Sequence, residues 1–344
     1  MAVQSARHLV FSESGLALVA LAGFMVLPIF ISGYTIYILP QYMIYGLMAM
    51  SLVLLWGYSG ILSIGQAGFF AIGGYTIGLS LKWIDFGNPA YIALVIAPCL
   101  GAGLAGILGY FLFRAGVRAA YFVLVTLAIS IIVEQIAVSQ SQWTGGWNGM
   151  YVPRMSLTLG IGKEISLFND MPMYYFVLVI VAAMYILLRC LVASKFGKVL
   201  VGIRENEDRV ISLGFDASLY KTAAFMVSGA LASFAGVLYG THAGFVSPSL
   251  GGVLFSTEVV VWVAIGGRNS FLGALLATIA VASLSNYLSA IAPKYWQLVI
   301  GIVFIVVIIH FRGGIAGAVA GTWNWNLRQT QTQSKWLNYL RPKT

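Results

Sequence analysis

Side chains that could carry out chemistry are few in this chain and stand far apart in the sequence. The 344 residues include two cysteines, Cys99 and Cys190, and three histidines, His8, His242 and His310. Disulfide frameworks and metal sites have cysteines or histidines at characteristic short spacings, which are missing here. We expect both cysteines to be small buried hydrophobic residues. The sequence therefore predicts no catalytic residue and no metal ligand.

The composition indicates a membrane protein. Hydrophobic residues make up 60% of the chain and charged residues 8%, whereas soluble domains carry about 25% charged residues. The net charge of +9 does not indicate a nucleic-acid groove, because the basic residues lie between apolar stretches and in the C-terminal tail. We predict an all-α, polytopic membrane protein that forms a single domain over residues 1–344.

About ten stretches are long and apolar enough to be transmembrane helices, each near 20 residues. They are Gly15–Gly33, Tyr37–Trp56, Ile61–Lys82, Tyr91–Phe113, Ala120–Ser139, Met173–Leu191, Thr222–Thr241, Val253–Gly266, Phe271–Ile291 and Trp296–Phe311. The first could be a signal peptide, but it has no clear small-residue cleavage site and further apolar stretches follow. We interpret it as the first span. The eighth is short, which indicates a re-entrant or broken segment.

Positive charge predicts the orientation. Lysines and arginines cluster in the connection 194–221, at Arg114 and Arg118, and in the tail 312–344. With ten spans and an internal N-terminus, all three groups fall on one side, as the positive-inside rule requires of cytoplasmic segments. Both termini are therefore predicted to be cytoplasmic, and the loop at about 140–172 external.

The segment between the second and third predicted spans is rich in residues that weaken a regular helix. Gly57, Gly60, Ser63, Gly65 and Gln66 all lie within ten positions. Irregular backbone at membrane depth is tolerated only where it is buried in protein or lines a cavity. The segment is predicted either to line a solute path or to form a tight crossing between helices, and the sequence favours neither.

Two carboxylates fall inside predicted spans. Glu134 lies toward the outer end of the fifth span, and Glu258 lies within the eighth. An acid inside a membrane is a candidate for contact with a solute, because burying its charge is costly. Alternatively, Glu134 could reach the outer interface, while Glu258 could belong to a capped helix start or pair with Arg268.

The cytoplasmic connection is the most charged part of the chain. Apolar positions such as Leu200, Ile203 and Leu213 alternate with polar ones, which predicts a short amphipathic helix that ends at Gly214. Its mixed charges favour a protein partner over anionic lipid, although a solvated connector is an alternative. The predicted partner-contacting residues are Arg204, Glu205, Glu207, Asp208, Arg209 and Gly214.

The energy source for any transport is predicted to lie outside this chain. Proton- or sodium-driven carriers need buried acids or discontinuous helices at the membrane midplane, and two acids near span ends make a weak relay. The sequence also lacks the phosphate-binding motif G-x-x-x-x-G-K-[ST]. Either the protein is a passive pore or a separate ATPase drives it.

Nearly the whole chain resembles the LivM-like permeases of branched-chain amino acid importers and the related urea permeases. Three family patterns are met, by residues 57–76, by Thr144-Gly-Gly-Trp-Asn-Gly149 and by residues 194–207. The stretch Asp208–Gly214 also keeps the acid-to-glycine spacing of the E-A-A-x-x-x-G element that docks on the ATPase. It lacks the alanine pair and the following I-x-L-P.

The resemblance implies one transmembrane permease subunit of an ATP-driven ABC importer in the bacterial inner membrane. Its partners would be a homologous second permease, two ATP-binding subunits that hold ATP and Mg, and a periplasmic solute-binding protein. The solute would be a branched-chain amino acid or, alternatively, urea or an amide. Thr144, Gly145, Gly146 and Asn148 would form an external gate or contact the binding protein. A passive urea-type channel and a membrane-embedded enzyme remain as rivals.

Overall fold

The computed structural model describes residues 2–31, 33–83, 89–117, 119–154, 156–159, 163–166 and 169–310. The predicted tail at 312–344 and Arg118 lie outside this part of the chain.

Long helices account for most of the described residues, and each predicted span overlaps one of them. They are α1 (Ala2–Phe30), α2 (Tyr34–Val53), α3 (Gln66–Trp83), α4 (Pro89–Arg114), α5 (Ala119–Ser139), α7 (Asp170–Ala193), α10 (Ala217–Ala243), α11 (Val253–Gly266), α12 (Phe271–Ile291) and α13 (Trp296–His310). Three short helices complete the set: α6 (Ser141–Thr144), α8 (Lys195–Glu205) and α9 (Glu207–Ser212).

Six helical segments of the described chain are long and apolar enough to cross a membrane. They are Tyr34–Ser59, Pro89–Arg114, Ala120–Ser139, Asp170–Ala193, Ala217–Ala243 and Phe271–Ile291. Two further apolar helices, Gly15–Phe30 and Val253–Gly266, are shorter. The prediction of an all-α polytopic membrane protein is confirmed, while the count of ten spans and the location of the termini stay predictions.

The connections between the helices fall into two groups, according to which helix ends they adjoin. At one end, the Lys221 ammonium lies 5.8 Å from the centre of the Phe113 ring, so the 194–221 connection lies beside the α4–α5 turn. At the other end, Arg154 lies over the Tyr37 ring at the start of α2 and forms an ion pair with Asp170 at the start of α7. The two positively charged connections among the described residues therefore share one face, as the charge pattern requires.

The centre of the bundle is built on α2, α3 and α10. The most apolar stretch of Tyr34–Ser59 is 83% buried, against 22% for α5 and α7. Glycines let the central helices touch backbone to backbone: a Cβ on Gly73 would overlap the Ser233 carbonyl oxygen, and one on Gly236 would overlap that of Phe70. Such contacts are the usual packing of membrane helices, because lipid supplies no hydrophobic drive for their association.

The outer helices expose apolar side chains, and the two cysteines are among these outward residues. Both Cys99 on α4 and Cys190 on α7 are exposed, so the expectation that they are buried is wrong. The expectation assumed that a small apolar side chain must be buried in protein to avoid water. In a bilayer such a side chain avoids water equally well by facing hydrocarbon.

Among the described residues, four short strands lie in two antiparallel pairs that the sequence did not predict. Strand β1 (Met150–Tyr151) pairs with β4 (Phe245–Val246), which joins the loop predicted to be external to the end of α10. Strand β2 (Ser156–Leu159) pairs with β3 (Lys163–Ser166) as a hairpin within the predicted external loop.

The close α3–α10 crossing makes a prediction about Gly73. We expect Gly73→Ala to destabilise the protein by about 1–3 kcal/mol, because the added methyl group overlaps backbone that has no room to shift. Thermal unfolding in detergent, followed by size-exclusion chromatography, measures the change. Gly103→Ala is the matched control, since a Cβ there meets nothing within 4 Å. Equal melting temperatures for both variants would contradict the described crossing.

Candidate functional site

The chain is broken between α2 and α3, as the glycine-rich segment predicts. Helix α2 runs into a π-helical turn at Leu54–Ser59, and Gly60 then adopts a left-handed conformation with φ of 76°. Residues 61–65 are not helical, and α3 begins at Gln66. Glycine is suited to position 60 because a side chain would strain a backbone with positive φ.

Hydroxyl groups on α5 satisfy the backbone donors that the break leaves free. The amide of Ile64 donates to Thr126 Oγ1 at 3.2 Å, and the amide of Gly68, in the first turn of α3, donates to Ser130 Oγ at 3.0 Å. The amide of Gly65 donates to the Ser63 hydroxyl. Away from water such partners are obligatory, because an unpaired backbone group costs several kcal/mol in hydrocarbon.

A buried hydrogen-bond network joins the break to α2 and α10. Gln66 Nε2 donates to Ser228 Oγ at 3.0 Å, and the Ser228 hydroxyl donates to the Ser51 carbonyl oxygen at 2.7 Å. The Ser51 hydroxyl lies 3.2 Å from Gln66 Oε1. Ser63 and Gln66 are both fully buried. In this structure the Gln66 amide therefore stabilises the crossing of α3 with α2 and α10.

A cavity of about 380 Å³ lies against the other side of the break. Ser59 and Gly60 form one wall, while Arg204, Glu207 and Lys221 contribute charge to the others. Gly60 is exposed there. Gly60 thus borders a cavity, whereas Ser63 and Gln66 form a helix crossing, and the solute path at this segment stays a prediction.

The two predicted carboxylates lie on neighbouring helices, away from this cavity. Helices α5 and α11 meet at Ser130 and Ser256, whose hydroxyl oxygens are 3.2 Å apart. The carboxylate of Glu134 lies beside Gly252, the residue that precedes α11, since a Cβ built there would lie 3.2 Å from both of its oxygens. A negative charge is favourable at that helix start. The helix-start position considered for Glu258 is therefore occupied by Glu134.

Glu258 lies in the second turn of α11 and is exposed. Among the described residues no ion pair joins it to Arg268. Eight residues separate Glu258 from the end of α11 at Gly266, a helical rise of about 12 Å, and Arg268 lies beyond that end. Leu254, one turn earlier on α11, is 79% exposed, so this face of the helix is open.

The charged connection contains two helices rather than the one that was predicted. Asn206 interrupts it with extended backbone, and its side chain accepts a hydrogen bond from the Arg209 amide at 2.9 Å as the N-cap of α9. Asparagine favours such a cap because its side chain replaces a missing helical partner. Gly214 is left-handed with φ of 88°, as predicted for the stop.

The predicted partner-contacting residues divide into an inward and an outward set. Arg204 donates to the Gly57 carbonyl oxygen, and Glu207 forms an ion pair with Lys221 at 2.5 Å. The outward set is exposed and comprises Glu205, Asp208, Arg209 and Gly214. It adjoins exposed apolar residues, with Ile211, Leu213 and Phe215 between 41% and 72% exposed. Because this face is predicted to be cytoplasmic, we call residues 208–215 the cytoplasmic patch.

The predicted external element, residues 144–148, likewise contains both buried and exposed residues. Thr144 is buried, and its hydroxyl donates to carbonyl oxygens of Ala137 and Gln140 at the end of α5. Gly145 and Gly146 have positive φ and shape the turn that leads to β1. Asn148 is exposed, and so is its neighbour Trp147 at 74%.

Sequence reasoning missed the supporting residues Thr126, Ser130 and Ser228. Each is a polar side chain beside or within an apolar stretch. A lone hydroxyl there is a weak signal, because serine and threonine also bond to their own helix. Thr126 does so with the Val123 carbonyl oxygen as well as capping the break.

The fold and site define a polytopic membrane permease with a charged connection at one face. The sequence matches the family described as the permease component of branched-chain amino acid transport systems over residues 34–308. The chain belongs to this family of transport-system permeases.

Several characterised proteins are similar to this chain. The high-affinity branched-chain amino acid transport permease LivM of Escherichia coli K12 is 30% identical, with 84% of this chain and 71% of LivM covered. A probable LivM of Methanocaldococcus jannaschii is 27% identical over 60% of this chain and 66% of that protein. The ribose import permease RbsC of Haemophilus influenzae is 24% identical over 89% and 94%. No solved structure matches the chain.

The buried network predicts that Ser228→Ala destabilises the protein. The change removes the acceptor of the Gln66 amide and the donor to the Ser51 carbonyl oxygen, and each buried group left unpaired costs about 1–3 kcal/mol. Chemical unfolding in detergent measures the loss. Ser289→Ala is the control, because the Ser289 hydroxyl bonds to its own helix at Asn286. A loss no greater than that of the control would disprove the network.

Proposed function

We propose that this chain is a transmembrane subunit of an ATP-driven importer of branched-chain amino acids in a bacterial inner membrane. A homologous second permease completes the path, two ATPase subunits bind at the cytoplasmic face, and a periplasmic binding protein delivers the solute. ATP and Mg are held by the ATPase subunits, so this chain carries no cofactor.

The observation that carries the proposal is the cytoplasmic patch. It presents apolar side chains flanked by Asp208 and Arg209 at the face that holds the positive connections. A surface with apolar side chains and both signs of charge suits a protein partner, because apolar contact supplies affinity and charge fixes orientation. The phosphate-binding motif absent from this sequence would be supplied by that partner.

The choice of solute follows from the family and from the LivM relatives. The ribose permease is less similar at 24% identity. Urea is not part of the proposal, since none of the relatives described above is named for it. Selectivity would be set chiefly by the binding protein, which would contact exposed external residues such as Trp147 and Asn148.

The second permease is proposed to cover the face formed by α5 and α11. Glu258 is exposed there, and a carboxylate facing lipid is costly, so protein or water must lie against it. Glu134 lies at the outer edge of the same face. This arrangement puts both carboxylates beside a path between the two subunits.

The mechanism is alternating access. Closure of the ATPase subunits on ATP would displace the cytoplasmic patch and the two helices α8 and α9. That movement would shift the broken segment and the α5–α11 face, opening the path outward to the binding protein. Hydrolysis would return the path to its inward-facing state.

Leu213→Asp tests the cytoplasmic patch. We expect the variant to lose co-purification of the ATPase subunits and at least tenfold of leucine uptake in proteoliposomes, since a charge replaces the most exposed apolar contact. Lys198→Ala is the matched control, because Lys198 is exposed on α8 outside the patch. An intact complex with full uptake in Leu213→Asp would refute the docking role.

Glu258→Cys tests the path. The variant is made in a chain whose own cysteines, Cys99 and Cys190, are replaced. We expect a hydrophilic thiol reagent to label the new cysteine in the assembled transporter, because water reaches position 258. Ile107→Cys is the control, since Ile107 is 61% exposed on the weakly buried helix α4 and should face lipid. Labelling of Glu258→Cys no faster than that of Ile107→Cys would exclude a watery path there.

A further inference from the structure

Arg204 lies where three separate parts of the chain meet. It stands in the last turn of α8, and its Nη1 donates both to the Gly57 carbonyl oxygen in the π-helical turn and to Asn269 Oδ1 at 3.3 Å. Its Nη2 lies 2.9 Å from Glu205 Oε1. Asn269 belongs to the turn between α11 and α12. One guanidinium group therefore contacts α8, the end of α2 and the α11–α12 turn.

Two glycines let the backbone come close to this arginine. A Cβ on Gly60 would lie 2.9 Å from Arg204 Cγ, and a Cβ on Gly57 would overlap the Arg268 carbonyl oxygen. The Tyr58 hydroxyl lies 3.4 Å from the Asn269 carbonyl oxygen, and its ring stacks on Phe271. The break and the α11–α12 turn thus form one packed cluster, to which Arg204 joins α8.

The chemistry of the junction favours arginine. The last carbonyl groups of a helix have no partner within it and carry partial negative charge, which a cation stabilises. Arginine presents several donors in a planar fork, so it can serve the Gly57 carbonyl, Asn269 and Glu205 together. A lysine would supply the charge as a single point without this geometry.

Arg204 also borders the cavity of about 380 Å³, so there is room beside it for the connection to move. Glu207, paired with Lys221 at the start of α10, lines the same cavity. Packed interiors transmit a displacement because they resist compression. A displacement of α8 would accordingly be transmitted to the packed cluster through the hydrogen bonds of Arg204, while the cavity leaves space for the connection itself to move.

We propose that Arg204 is a positioning residue that couples the connection to the break between α2 and α3. Its hydrogen bonds make the end of α2 and the α11–α12 turn move with α8. Arg204 thus contacts the interior of this chain, whereas the cytoplasmic patch contacts the ATPase subunits. This role rests on the proposed importer function, because it presumes that an ATPase displaces the connection. The Arg204 side chain is 29% exposed against 70% for Glu205, in keeping with an inward role.

The first experiment separates coupling from assembly in the purified full complex. Arg204→Gln removes the charge and the fork. We expect the ATPase subunits to co-purify and basal ATP hydrolysis to stay within twofold, while leucine taken up per ATP falls at least tenfold. Arg204→Lys should recover part of that ratio, and Lys198→Gln on the same helix should match the unmodified protein. Loss of ATPase co-purification in Arg204→Gln would instead make Arg204 a docking contact and overturn the proposal.

The second experiment does not depend on ATP. Hydrogen exchange of the full chain in detergent follows the amides of residues 57–61 and 267–270. We expect Arg204→Gln to speed exchange at least threefold in both segments, and Asn269→Ala to do so in the second, with no change in Lys198→Gln. Unchanged exchange in both segments would overturn the junction itself. Absence of any ATPase from the unmodified complex would refute the importer function, while the exchange result would still decide whether Arg204 joins the three elements.

Discussion

Every backbone amide and carbonyl at membrane depth needs a partner within the protein, and this requirement governs the interior of the bundle. The chain departs from regular helix in the buried segment between α2 and α3. Hydroxyl groups on neighbouring helices then pair with backbone amides of the segment and with the Gln66 side chain. Thr126 and Ser130 reach the break from α5, and Ser228 reaches Gln66 from α10. The close glycine contacts between α3 and α10 hold these groups within reach, so packing and hydrogen bonding depend on one another.

The positions of the helices could be predicted because a bilayer imposes a simple rule. A span must be apolar for about 20 residues, and the ends must carry the charge. The break could be predicted for a related reason, since Gly57, Gly60 and Gly65 within nine residues disfavour a continuous helix. Gly214 as the end of the charged connection followed from the same property. Span hydrophobicity and glycine conformation depend on neighbouring residues in the sequence, so the sequence alone predicts them.

What each polar residue touches could not be predicted, because it depends on which helices become neighbours. Arg204 and Glu205 are adjacent in a charged stretch, yet one contacts the end of α2 and the other is exposed. Glu134 and Glu258 were equivalent as intramembrane acids, but one lies at a helix start and the other on an open face. The interruption at Asn206 required weighing a capping asparagine against the amphipathic pattern on either side. The pairing of β1 with β4 joins segments about 95 residues apart, which no local pattern encodes.

The shortness of α11 has a consequence for what must lie beside this helix. Its 14 residues rise about 21 Å, whereas the hydrocarbon core is about 30 Å thick. The 3₁₀ turn Pro248–Gly251 and Ser247 bring polar backbone to the start of this helix. Helix α11 alone is therefore about 9 Å shorter than the hydrocarbon thickness, so the irregular backbone at its start would lie within membrane depth. Such backbone is tolerated only where protein or water covers it, which agrees with the proposed cover of this helix by a second permease.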